Sequence, residues 1–124
     1  MEQPGLDNLS WTLSKPATMT SYNGEMWRNA RGLDDAQIYT SSSRNGAWQW
    51  RGLAGLMRSS HGPALAVHDN KMWLFLRGTD GALWAATYDR DWSSASPVAG
   101  NRLTLMDEPS SASHGGNLYV MYRR

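Results

Sequence analysis

The feature that most restricts what this chain can fold into is a repeat of about 46 residues. One segment runs from Pro16-Ala17 through Ser21-Tyr22-Asn23-Gly24-Glu25-Met26-Trp27-Arg28 to Arg31-Gly32. A second runs from Pro63-Ala64 through Val67-His68-Asp69-Asn70-Lys71-Met72-Trp73-Leu74 to Arg77-Gly78. A third runs from Pro109-Ser110 through Ser113-His114-Gly115-Gly116-Asn117-Leu118-Tyr119-Val120 to Arg123. Trp27, Trp73 and Tyr119 share one register, as do Met26, Met72 and Leu118, and Arg31, Arg77 and Arg123. A repeat of this length is one supersecondary unit, and it must bury its apolar face against the next unit.

Each unit reads as short strands. Ala64 to His68 and Met72 to Leu76 are apolar runs joined by Asp69-Asn70, and the matching turns are Asn23-Gly24 and Gly115-Gly116. Asn, Asp and Gly tolerate the positive φ of the tight hairpin turn. A third strand follows over residues 37–41 and 82–88, after turns at Asp34-Asp35 and Asp80-Gly81. A fourth begins at Trp48-Gln49-Trp50 and at Trp92-Ser93, after Asn45-Gly46 and Asp89-Arg90-Asp91. Four antiparallel strands per unit is the pattern of a β-propeller blade, so the expected fold is all-β. The expected repeats span 16–62, 63–108 and an incomplete 109–124, with residues 10–14 as an N-terminal outer strand. That makes about two and three-quarter blades in a single partial propeller domain. Bare blade faces and free strand edges mark interfaces. The expectation is therefore a homo-oligomer, a dimer or trimer of chains completing the ring; the alternative is a fragment of a longer array.

Composition supports the all-β reading. There are seven Trp and five Tyr against one Phe, with twelve Gly and fourteen Ser, as many short strands and tight turns require. Twelve basic and eleven acidic residues leave a net charge of +1, which supplies no drive toward nucleic acid or an anionic membrane. The chain has no cysteine, so disulfides and thiolate metal sites are excluded. No segment is long and apolar enough to insert in a membrane. The first residues, Met1-Glu2-Gln3-Pro4-Gly5, lack the basic and then apolar order of a signal peptide. The default expectation is the cytoplasm or a leaderless export route. No cofactor is expected. Asp34, Asp35 and Asp80 read as turn formers, not metal ligands.

The stretch Lys71-Met72-Trp73-Leu74-Phe75-Leu76-Arg77-Gly78-Thr79-Asp80-Gly81-Ala82-Leu83-Trp84 resembles the blade repeat of propeller lectins, the fucose-binding bacterial type and the related tachylectin and tectonin types. The resemblance extends from Ser10 onward, with fewer blades than the five to seven of known members. It implies monosaccharide or glycan ends bound in pockets between neighbouring blades. The first unit also places Arg28-Asn29 where the second has Leu74-Phe75, which predicts one polar blade junction.

Sugar recognition needs an aromatic plate and convergent polar groups. Candidates are Tyr22, His68 and His114, which share one repeat position; Arg31 and Arg77, which share another; and Trp48, Trp50 and Trp92, which open the fourth strands. The plainer reading of the two arginines is a structural bond to a neighbouring carbonyl. Catalysis is not expected: Glu25 and Glu108 occupy unrelated repeat positions, and the paired carboxylates of a glycosidase are missing. The alternatives to a lectin-like module are a propeller scaffold for protein–protein contact and, behind it, a degenerate sialidase-like glycosidase.

Overall fold

A computed structural model describes residues 17–32, 35–55, 57–101 and 103–124. The expected outer strand at 10–14 lies outside them. The described chain is all-β and forms antiparallel sheets by simple up-and-down succession. The first sheet joins β1 (Thr18–Tyr22), β2 (Glu25–Arg31), β3 (Ile38–Arg44) and β4 (Ala47–Ala54). The second joins β5 (Ala64–His68), β6 (Lys71–Arg77), β7 (Leu83–Tyr88) and a short β8 (Ser96–Pro97). The third pairs β9 (Ser110–His114) with β10 (Asn117–Met121).

The turns behave as their residue types require. Asn23 and Gly24, Asn45 and Gly46, Asp69 and Asn70, and Gly115 and Gly116 all have positive φ, the pair that lets a two-residue hairpin follow the strand twist. Asp35 and Asp80 each accept a backbone N–H two residues on, from Gln37 at 3.1 Å and Ala82 at 3.0 Å. Their second partners are the Tyr39 hydroxyl and the Trp84 indole. This explains the glycine after each arginine. A Cβ on Gly78 would meet Asp80 Oδ1 at 2.7 Å and Trp84 Nε1 at 2.8 Å, and one on Gly32 would meet Asp35 Oδ1 at 2.7 Å.

The second sheet is buried on both faces. Strand side chains alternate, so Met72, Leu74 and Leu76 face the first sheet while Trp73 and Phe75 face the third. Leu74 and Leu76 pack with Ile38 and Ala54, and Met72 with Tyr22 and Trp27. On the other side Ala64, Phe75, Leu83 and Leu105 meet Leu118, Val120 and Tyr122. An apolar residue at every position from Met72 to Leu76 is what such a strand needs.

Two expectations change in detail. Arg28 and Asn29 do not share a junction, because neighbouring residues on a strand point to opposite faces. Asn29 is fully buried between the first two sheets, flanked across the strands by Thr18 and Thr40 where the second sheet has Phe75 between Ala64 and Ala85. Arg28 lies on the outer face. The fourth strand of the second unit does not run on from Trp92-Ser93. Those residues make one bridge, Tyr88 to Trp92, and meet β7 again only through Thr87, with Ser93 N–H donating to Thr87 O at 2.8 Å and Thr87 N–H to Ser93 Oγ at 3.0 Å. The Ala95 N–H then bonds the Gly55 carbonyl at 3.0 Å, which draws the chain toward the first sheet, and pairing resumes only at Ser96–Pro97. Pro97 has no N–H with which to extend it.

Trp27, only 3% exposed, lies between two sheets. Trp27→Ala should cost about 3–5 kcal/mol in urea unfolding, the range for aromatic truncation in a core. A loss below about 1 kcal/mol would mean that the first and second sheets do not pack as described.

Candidate functional site

A cleft of about 420 Å³ opens between the first and second sheets, beside the Asn23-Gly24 and Asp69-Asn70 turns. Strand alternation builds it. Glu25 and Trp27 project from the same face of β2, and Tyr22 lies opposite Glu25 on β1. Arg51 comes from a bulge in β4, where pairing steps from Ser41↔Trp50 to Thr40↔Gly52 and skips Arg51. The second sheet adds Tyr88 at the end of β7, with Asp89 and Arg90 on the rim.

The floor is aromatic. Trp27 and Tyr88 have ring centroids 4.6 Å apart, and Tyr22 meets each of them edge-on at 6.3 Å. The Tyr22 hydroxyl donates to the Asn70 carbonyl at 2.9 Å and ties the sheets together. Burial raises the Tyr88 phenol above its ordinary pKa, so its hydroxyl stays protonated at neutral pH.

A charged network stands above this floor. Glu25 Oε1 accepts from the Ser42 hydroxyl at 2.7 Å and from Arg51 Nη2 at 3.2 Å. Glu25 Oε2 accepts from Arg44 Nη2 at 3.3 Å, and Arg51 Nε donates to Ser42 Oγ at 2.7 Å. The Glu25 side chain is 19% exposed and that of Arg51 30%, so both are held yet still reach solvent. The Ser42 hydroxyl bond, and then Arg44 and Arg51, hold the Glu25 carboxyl below its ordinary range against the opposing effect of burial.

A larger groove of about 460 Å³ is lined by the first strands of the three sheets, including Thr18, Ala64, Leu65, Ser110 and Ser111. Its walls are mainly small, apolar or hydroxyl side chains. Volume favours this groove, but convergent charged and aromatic groups favour the cleft. Among the described residues, no three His, Asp or Glu side chains cluster as metal ligands.

The eight residues expected from the sequence are dispersed. Tyr22 lines the cleft, but at 6% exposure it closes the floor and offers no open ring face. Trp92 supports Tyr88 from behind at 5.3 Å, and its indole N–H donates to Thr40 Oγ1 at 3.2 Å. Trp48 and Trp50 share the outer face of the first sheet, Trp48 beneath the Arg28 guanidinium at 4.2 Å and Trp50 beside Tyr39 at 5.6 Å. His68 faces the third sheet, with Nδ1 3.2 Å from Ser113 Oγ, and His114 is exposed on β9. Arg31 and Arg77 act as structural staples: their Nε atoms donate to the Ser59 carbonyl at 2.6 Å and the Leu105 carbonyl at 2.8 Å.

Glu25, Arg51 and Tyr88 were not among the expected site residues. Their one signal is departure from the repeat: Glu25 stands where the later units have Lys71 and Asn117.

Two predictions follow from the network and the staples. A carboxyl with a lowered folded-state pKa adds stability above its ordinary value of 4.5 and loses it as pH falls through the lowered value. The stability gap between wild type and Glu25→Gln, measured by urea unfolding, should therefore be widest near neutrality and shrink on acidification. Arg77→Ala should lower stability by about 1.5–3 kcal/mol in urea unfolding, the range for hydrogen bonds from a charged group.

No protein-family model matches the chain, and no curated protein sequence does. Among solved structures it is similar to a fucose lectin from Kordia zhangzhouensis in complex with methyl-fucoside, at a TM-score of 0.59 and 13% identity. The match covers 85% of this chain and 80% of that one, so the two chains are similar in length as well as in fold.

Proposed function

We propose that the chain is a carbohydrate-binding module whose sheets are propeller blades. A monosaccharide or glycan end occupies the cleft between the first two sheets, and further copies of the chain complete the ring. The observation that carries the reading is the Glu25–Arg51 pair held at the mouth of an aromatic-floored cleft. A carboxylate accepts and a guanidinium donates, so the two side by side match neighbouring sugar hydroxyls, each of which does both. Tyr88, half-buried, supplies apolar surface for the C–H face of a ring and a phenolic donor. The likeness to a lectin fold agrees with this.

The same geometry favours binding over turnover. Glu25 is held ionised by three donors, which makes it a poor general acid.

A glycan array probed with the assembled protein should show weak binding that free monosaccharide inhibits. Arg51→Met and Glu25→Gln should each weaken it by about 10-fold or more, the equivalent of losing a hydrogen bond to a charged group. Absence of any glycan signal, or full binding by Arg51→Met, would remove the cleft from consideration. Binding of a protein partner through the exposed Trp50 face would then become the favoured reading.

A further inference from the structure

The Glu25–Arg51 pair is a partition with space on both sides. On one side lies the aromatic-floored cleft. On the other is a hollow of about 150 Å³, which the same two side chains line together with Ser42, Arg44, Ala47 and Gln49. Strand pairing places it. Ser42 stands opposite Gln49, and Arg44 opposite Ala47, across β3 and β4. Directly opposed residues share a sheet face. Trp27 pairs with Ser42 across β2 and β3, so the hollow continues the face that carries the cleft. Ala47 leaves open the space that a longer side chain opposite Arg44 would fill.

The charges in the hollow do not cancel. Arg44 and Arg51 share one carboxylate: Glu25 Oε2 takes Arg44 Nη2 at 3.3 Å, and Oε1 takes Arg51 Nη2 at 3.2 Å. Two guanidiniums against one carboxylate leave a single positive charge. On the cleft side, Asp89 and Arg90 offset each other. Donors are left over as well. Arg44 engages only Nη2, on Glu25 and on the Asn23 carbonyl at 3.5 Å, while Arg51 engages Nε and Nη2. Arg44 Nε and Nη1, Arg51 Nη1 and the exposed Gln49 amide have no hydrogen-bond partner among the described residues.

We infer that the saccharide bound in the cleft carries an acidic substituent, a carboxylate or a sulfate ester, which reaches past the Glu25–Arg51 pair into this hollow. The inference rests on the carbohydrate reading above and names the class of sugar. An oxyanion accepts from several donors at once, and planar guanidiniums offer it paired N–H groups. The hollow has little more than a third of the cleft's volume, which suits a substituent and not a second ring. The Arg44 side chain is 63% exposed, so the attraction is that of a solvent-facing ion pair and sharpens selectivity more than affinity.

A glycan array carrying neutral, carboxylated and sulfated forms of galactose, glucose and mannose tests this. At low salt the acidic forms should bind at least about 3-fold more tightly than the neutral form of the same sugar, the scale of one exposed ion pair. The advantage should shrink at high salt, because screening acts on exposed charges. A lead for either acid supports the subsite, and the stronger arm identifies the group it takes. Two exposed positions then locate it, each read as the ratio of acidic to neutral binding within one variant. Arg44→Gln should bring that ratio to about one, and Gln49→Glu should push it below one by like-charge repulsion. Equal binding of acidic and neutral forms by the wild type overturns the subsite and leaves the cleft reading in place. A preference that survives both variants arises elsewhere on the protein and also overturns it. If no saccharide binds in any form, the carbohydrate reading falls and the inference falls with it.

Discussion

The whole arrangement depends on one strand, β6, having no solvent face. Its five central residues are apolar without a gap, and strand geometry sends alternate side chains to opposite sheets. Met72, Leu74 and Leu76 lose water to the first sheet, and Trp73 and Phe75 to the third. Removing apolar area from water is the largest favourable contribution to such a stack, about 25 cal/mol for each Å². Neither flanking sheet buries itself in the same way. The outer face of the first sheet keeps Met19, Met26 and Trp50 exposed, and that of the third keeps Tyr119 and Met121.

Polar contacts then hold the stacked sheets in register. The Ser59 and Leu105 carbonyls, at equivalent repeat positions, receive Arg31 and Arg77 of the sheet before, while the N–H groups of Ser60 and Met106 bond the carbonyls of Arg77 in the second sheet and of Arg123 just past β10. Each connecting segment is thus bonded on both sides. Buried backbone groups need partners, and these bonds supply them where no ladder runs. The chemistry of the cleft comes from departures from this regularity. The sheet junction is common to the repeats, but Glu25 and the bulge-borne Arg51 occur at only one of them.

How far the sequence reading reached followed from the range of the forces involved. Hairpin turns were readable because positive φ at Asn23-Gly24 or Gly115-Gly116 is a property of those residues alone. The plainer reading of Arg31 and Arg77 as backbone partners also held, since a staple recurs wherever the repeat recurs. Tyr22 reads from the sequence as a ligand candidate, yet the second sheet covers it, and local sequence carries no record of which sheet will lie above a given face. The interrupted fourth strand near Trp92 was hidden for the same reason, because the competing bond from Ala95 to Gly55 joins residues far apart in the chain.

Period, turn chemistry and strand alternation were therefore settled by the amino-acid order itself, through backbone sterics and side-chain polarity acting over a few residues. The tertiary structure alone decided which alternate face of each strand meets a neighbour, and so sent Asn29 inward and Arg28 outward from adjacent positions. It alone brought Glu25, Ser42 and Arg51 into one network beside Tyr88 of another sheet. Such groups find one another only after the sheets have stacked, because the burial that drives stacking has no direction and the hydrogen bonds that make the site do.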